Sequence, residues 1–136
     1  MPNILLISRC FIEKAGQVLL LHRSSKRKYN PNLWELPGGK VEAGQDINNA
    51  TEREILEETG LLIKIISPVA FSESKVVDHG KYKGMIYLEL VNRAIIVAGK
   101  ISLGDDHVGF AWAKKKDIFN YDLSQESRKS LTFFLS

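Results

Sequence analysis

Apolar residues occur along the chain in short runs separated by polar turns, and their spacing predicts strands around a central helix. Asn3 to Ile12 and Gln17 to His22 are rich in Leu, Ile and Val, with Ala15-Gly16 between them as a hairpin turn. Ser24 to Asn32 is polar and contains Asn30-Pro31, which predicts a loop. Trp34 to Glu42 holds Leu36-Pro37-Gly38-Gly39, where two glycines permit backbone geometries or close approaches barred to other residues. Asp46 to Thr59 is the clearest helix, because Asp46 can cap its start and Gly60 stands where a C′ glycine belongs. Leu61 to Val69 and Gly84 to Val97 read as strands, with Asp78-His79-Gly80 in a turn, and His107 to Ala113 as a further short strand. Leu123 to Leu135 predicts a closing helix capped by Ser124, with Leu131, Phe134 and Leu135 facing inward. That order suggests an α/β fold in which a mixed sheet is covered on both sides by helices. No repeat, low-complexity tract or linker interrupts it, so residues 1–136 are expected to form one domain.

The central helix departs from an ordinary amphipathic pattern. Glu54, Glu57 and Glu58 stand at i, i+3 and i+4, and therefore share one sector about 100° wide. Earlier in the helix the same sector holds Ile47 and Ala50, so an apolar stripe turns acidic halfway along. Carboxylates ~6 Å apart repel by ~0.7 kcal/mol per pair in water and by ~3 kcal/mol at an effective dielectric of 20. The helix macrodipole adds to the cost in the last two turns. Arg53 can pair with Glu57 at i+4, which offsets only ~0.3–0.5 kcal/mol. A solvated acidic face would tolerate this arrangement. A partly buried one needs a compensating cation, and oxygen-only ligands suit a hard ion, Mg²⁺ or Mn²⁺.

Composition narrows the classes. The 136 residues are 44% hydrophobic and 26% charged, which is ordinary for a globular domain. Cys10 is the single cysteine and cannot form an internal disulfide, which favours a reducing, cytoplasmic setting. It lies in an apolar run and reads as a buried strand thiol. Met1 to Leu6 lacks the basic and apolar regions of a signal peptide, and the apolar runs fall well short of the ~20 residues that span a bilayer. A net charge of +3 would help attract an anionic substrate. Lys26-Arg27-Lys28 and Lys114-Lys115-Lys116 are short enough to be solvated loops or helix starts rather than a nucleic-acid footprint.

From Gly39 to Leu61 the chain reads GKVEAGQDINNATEREILEETGL. This resembles the Nudix box: a glycine, five residues, Glu, seven residues, then Arg-Glu-U-x-Glu-Glu-x-Gly-U, with U bulky and aliphatic. The glycine is Gly39, and the later block runs from Arg53 to Leu61. The flank Trp34-Glu35-Leu36-Pro37-Gly38 is similar to the family as well. One position departs, because Gln45 occupies the place of the first box glutamate.

The resemblance implies a Nudix-type α/β/α sandwich and a magnesium-dependent hydrolase, with Mn²⁺ as a possible substitute. It implies Glu54, Glu57 and Glu58 as metal ligands, joined by the main-chain carbonyl of Gly39, with Arg53 orienting the carboxylates. Gln45 would support the metal site with an acceptor of the right length but no charge, weakening metal binding or turnover without abolishing them. Gly38 and Gly39 would lie against substrate, and Arg23 is similar in place to an arginine that contacts substrate phosphate in some relatives. Asp106, six residues before Trp112, matches an acidic ligand or base of several relatives, or else is a plain polar turn. His22 and His79 lack ligand-like companions, and Trp34 and Trp112 read as packing residues rather than base-stacking platforms.

The expected chemistry is attack of a metal-bound water on a diphosphate, with a carboxylate taking the proton. Glu54, Glu57 and Asp106 all remain open as that base. The leading reading is a MutT-like pyrophosphatase that releases monophosphate and pyrophosphate from a nucleoside triphosphate. ADP-ribose or a dinucleoside polyphosphate is the alternative within the enzyme class, and a nucleotide sensor that does not cut is the alternative outside it. Partners are expected to be limited to a small nucleotide, without membrane or nucleic acid, on a monomer or homodimer.

Overall fold

The computed structural model describes residues 3–67 and 69–136. Met1 and Pro2, part of the stretch read as no signal peptide, and Pro68, in the run read as a strand, lie outside the described residues. The elements follow in the order β1 (Ile4–Lys14), β2 (Gln17–Arg23), β3 (Trp34–Glu35), β4 (Gly38–Val41), α1 (Ile47–Thr59), β5 (Leu61–Ile65), β6 (Phe71–Val76), β7 (Ile86–Gly99) and β8 (His107–Lys114). A 3₁₀ helix over Lys115–Asn120 and α2 (Gln125–Phe134) complete them.

β1 joins the sheet together. Its first half lies between β4, antiparallel, and β7, parallel, so the sheet is mixed. Its last residues pair with β2 through the Ala15-Gly16 turn, whose positive φ values of 51° and 78° suit a tight hairpin. Strand alternation then divides the core between two faces. Cys10, Ile12, Leu19 and Leu21 pack with Ile55 of α1 on one side. Phe11, Val18 and Leu20 pack with Leu131 of α2 on the other, joined by Phe134 and Leu135. Each such side chain, fully buried, contributes about 1.5–3 kcal/mol. The result is the α/β/α sandwich that the pattern implied, and no described helix is long and apolar enough to cross a membrane.

The chain between residues 61 and 76 differs from the expectation. The run read as Leu61–Val69 stops at Ile65, and a separate strand, β6, follows from Phe71. Both pair with the same edge of β7, β6 against Ile86–Val91 and β5 against Ala94–Gly99. β6 is mostly exposed, and its sequence FSESKV has no apolar run to announce it. A 14-residue partner strand supplies the pairing that local hydrophobicity does not. Trp34 to Glu42 likewise forms two short strands on either side of Leu36-Pro37.

Helix α1 has the ends its sequence predicts. Asp46 accepts from Asn49 N–H at 2.9 Å, and Gly60 adopts the left-handed conformation at φ 77°. Its last carbonyls are capped from outside, Thr59 O by Ser102 N–H at 2.7 Å and Glu58 O by Gly104 N–H at 3.1 Å. These bonds fix the acidic end of the helix against the β7–β8 connection.

Candidate active site

A cleft of about 840 Å³ opens where α1, β4, the Ser24–Asn32 loop, the β6–β7 connection and the start of α2 converge. Its lining includes Arg23, Gly38, Gly39, Gln45, Arg53, Glu54, Glu58 and Asp106, so eight of the nine residues proposed from sequence meet in one place. Glu57 is the exception. The inward face of α1 is Ala50, Thr51, Ile55 and Thr59, which turns Glu54 and Glu58 toward the cleft and leaves Glu57 exposed. Glu57 lies 3.8 Å from Arg53 Nε, the i, i+4 pair expected, and both side chains are more than half exposed. The acidic sector read as one face is therefore divided between cleft and rim.

Two close approaches set the geometry. Gly38, at φ 149°, packs so tightly on β1 that an added Cβ would collide with Ser8 O and Arg9 Cα. Its N–H donates to Glu58 Oε1 at 2.7 Å, which anchors that carboxylate beside the Gly38-Gly39 backbone. A Cβ on Gly39 would come within 3.2 Å of Glu54 Oε2. Glycine at 39 thus leaves room between a main-chain peptide and a carboxylate.

The carboxylates are electrostatically uncomfortable. Loss of water around Glu58, added to by Glu35 and Glu54, pushes its pKa up to about 8 against the opposing Gly38 bond and Arg9. Desolvation and the neighbouring Glu57 also raise Glu54, with Asp106 adding and Arg53 opposing. Among the described residues, no three His, Cys, Asp or Glu side chains are gathered closely enough to hold an ion on their own. Main-chain or ligand oxygens would have to complete a coordination sphere. An all-oxygen, under-compensated donor set of this kind fits a hard divalent cation.

The remaining residues named from sequence differ in what they contact. Gln45 closes the turn before α1, its amide oxygen accepting from Glu42 N–H at 2.7 Å. Asp106 Oδ1 pairs with Arg27 Nη1 at 2.9 Å, while Asp105 does not line the cleft. Arg23 donates to Tyr29 O at 3.0 Å and to Glu35 Oε2 at 3.1 Å, tying the cationic loop to the sheet. Trp34 stacks on His22 with centroids 4.5 Å apart, and Trp112 packs against the α1-side core, so neither tryptophan lines the cleft. His79 stands on the cleft wall tilted against Tyr29, which in turn meets Tyr82.

Beneath the cleft lies a charge cluster that the sequence reading missed. Arg9 Nε donates to Glu89 Oε1 at 2.7 Å, and Arg9 Nη1 is 3.4 Å from Glu35 Oε1. Glu35 Oε2 also meets Arg23 and, at 2.9 Å, His107 Nε2. All but Arg23 are buried. The available signal was a charge at an inward position of an otherwise apolar strand, Arg9 within Ile4–Ile12 and Glu89 within Ile86–Val91.

Comparison with known proteins agrees with this geometry. The NUDIX domain model matches residues 7–134. A nucleoside triphosphatase, NudI of Escherichia coli O139:H28, is 32% identical over 125 residues, which cover 88% of this chain and 89% of the relative. The MutT protein from Methanosarcina mazei Go1 superposes with a TM-score of 0.80 at 21% identity, covering 98% of this chain and 94% of its own. A MutT NUDIX hydrolase from Burkholderia pseudomallei superposes at 0.79 with 25% identity, covering 96% and 97% respectively. The chain belongs to the Nudix family. It is a Nudix hydrolase of the MutT-like kind.

Proposed function

We propose that this protein hydrolyses a nucleoside triphosphate to monophosphate and pyrophosphate with Mg²⁺, for which Mn²⁺ can substitute. The observation that carries the reading is the pair Glu54 and Glu58, desolvated beside the Gly38-Gly39 backbone at the mouth of one cleft. Glu54, Glu58, the rim carboxylate Glu57 and the Gly39 carbonyl would hold the ion, which when bound neutralises phosphate charge and acidifies a water. Arg53 compensates Glu57 across one helical turn. Glu54, which lines the cleft, would take the proton of the attacking water. Asp106 is less suited to that task, since Arg27 already neutralises it. Lys28 on the cleft wall supplies positive charge for a triphosphate tail, which would compete with Asp106 for Arg27 beside it. The likeness to a nucleoside triphosphatase supports the same substrate class.

The test is a nucleotide panel incubated with Mg²⁺, with products separated by chromatography. Nucleoside triphosphates are expected to give higher kcat/KM than ADP-ribose or diadenosine polyphosphates, with pyrophosphate as first product. Orthophosphate as first product, or a tenfold preference for ADP-ribose over every triphosphate, overturns the choice. Mg²⁺ or Mn²⁺ should also raise Tm, whereas NaCl of equal ionic strength should not. Calorimetry without any Mg²⁺ or Mn²⁺ binding, nucleotide included, would remove the catalytic reading.

Gln45 offers a finer test. Its amide oxygen already fills the acceptor role toward Glu42 N–H, which a glutamate would keep while adding charge. Gln45→Glu is expected to lower the Mg²⁺ concentration for half-maximal rate. An unchanged or poorer response would mean the site is adapted to glutamine.

A further inference from the structure

Arg9 has no place in the hydrolytic scheme, yet it is the arginine most deeply built into the cleft floor, with only 8% of its surface exposed. Burying a guanidinium with two carboxylates is a poor source of stability, because desolvation offsets most of the attraction. Its contacts suggest another purpose. On β1, Arg9 lies opposite Gly38 of β4, and on the same sheet face it reaches diagonally to Glu89 of β7. From there Nη1 donates to Leu36 O at 3.0 Å, and Cys10 N–H donates to Pro37 O at 2.9 Å. The side chain of Arg9 and the backbone beside it thus grip both residues before Gly38, whose own N–H holds Glu58.

We propose that Arg9 is a positioning residue of the hydrolytic site: anchored on Glu89 and Glu35, it holds the Leu36–Gly38 backbone so that Gly38 keeps Glu58 aimed into the cleft. The inference rests on the role proposed above for Glu58. Glu89 orients the guanidinium through Nε, while Glu35 approaches the Nη1 that serves Leu36 O. The planar fork allows one side chain to reach both partners, which a lysine ammonium cannot do with the same geometry. Glu35 keeps Arg23 and His107 as partners, so removing Arg9 and Glu89 together leaves no unpaired carboxylate behind.

The experiment compares wild type, Arg9→Lys, and the double variant Arg9→Met with Glu89→Met, which replaces the ion pair by apolar groups. Hydrogen exchange at the Gly38 amide is read by NMR without substrate or metal, and kcat and KM are read with a nucleoside triphosphate and Mg²⁺. In the folded double variant, Gly38 exchange is expected to accelerate at least tenfold while the Ile55 and Val91 amides change less than threefold. Its kcat should fall at least thirtyfold with KM within threefold, and Arg9→Lys should lie between. Unchanged Gly38 exchange overturns the proposal, and so does a rise in KM alone, which would put Arg9 on the substrate itself. If the double variant does not fold, Arg9→Lys decides by the same exchange measurement. A wild type without triphosphatase activity refutes the proposed function separately, since the Gly38 readout needs no turnover.

Discussion

Glu58→Gln is expected to lower kcat by on the order of 10³-fold while making the metal-free protein more stable at alkaline pH. Glutamine keeps an oxygen for the Gly38 N–H but removes the charge that a cation would meet. The stability effect follows from proton linkage. Burial first, then Glu35 and Glu54, raise the folded-state pKa of Glu58 to about 8, above its ordinary 4.5. Between these values the folded protein keeps a proton that the unfolded chain releases. The contribution is therefore fully present below pH 4.5 and is lost as pH rises to about 8, at no more than about 1.4 kcal/mol per pH unit. The variant lacks this slope. Urea unfolding in chelator at pH 5, 7 and 9 should show a gap that grows with pH, and added Mg²⁺ should reverse the order. Glu54→Gln and Glu57→Gln should also lose orders of magnitude in turnover, and exposed Glu57 should change metal-free stability least. Near-normal kcat in all three would put the chemistry elsewhere.

Glu35→Gln is expected to destabilise the protein by about 3–5 kcal/mol and to lower Tm by about 10 °C or more. Glu35 is 2% exposed and lies between Arg9, Arg23 and His107, so its loss leaves cations without their shared partner. Desolvation alone would raise its pKa. Arg9, the His107 hydrogen bond and Arg23 outweigh that burial and hold the carboxyl at about 2, below its ordinary 4.5. A depressed folded pKa stabilises above pH 4.5, and the contribution is lost as pH falls through about 2. Glu35 thus shapes the acid limb of the stability curve, and Glu58 shapes the stretch between pH 4.5 and about 8. Denaturant titration at pH 7 and pH 3 reads both consequences. A loss below about 1 kcal/mol at pH 7 would mean that Arg23 and Arg9 find other partners.

The sequence by itself determined the features governed by neighbours within a turn or two. Asp46, Gly60 and the 13 residues between Ile47 and Thr59 specify helix α1 through caps and periodicity, and they bring Glu54, Glu57 and Glu58 to one side of it. The Gly39–Leu61 pattern was legible through its resemblance to the Nudix box, and of its length only Ile47–Thr59 is helical. Tertiary structure decided which part of that side meets the cleft, turning Glu54 and Glu58 inward and Glu57 out, because sheet packing sets the helix rotation. It also decided β6, whose polar sequence becomes a strand only beside β7. Above all it decided the buried cluster, in which Arg9 and Glu89 stand 80 residues apart and meet only through the β1–β7 register. Local patterns encode caps and faces. The register of distant strands, which no local spacing records, determines which charges share a low-dielectric floor and so what supports the site.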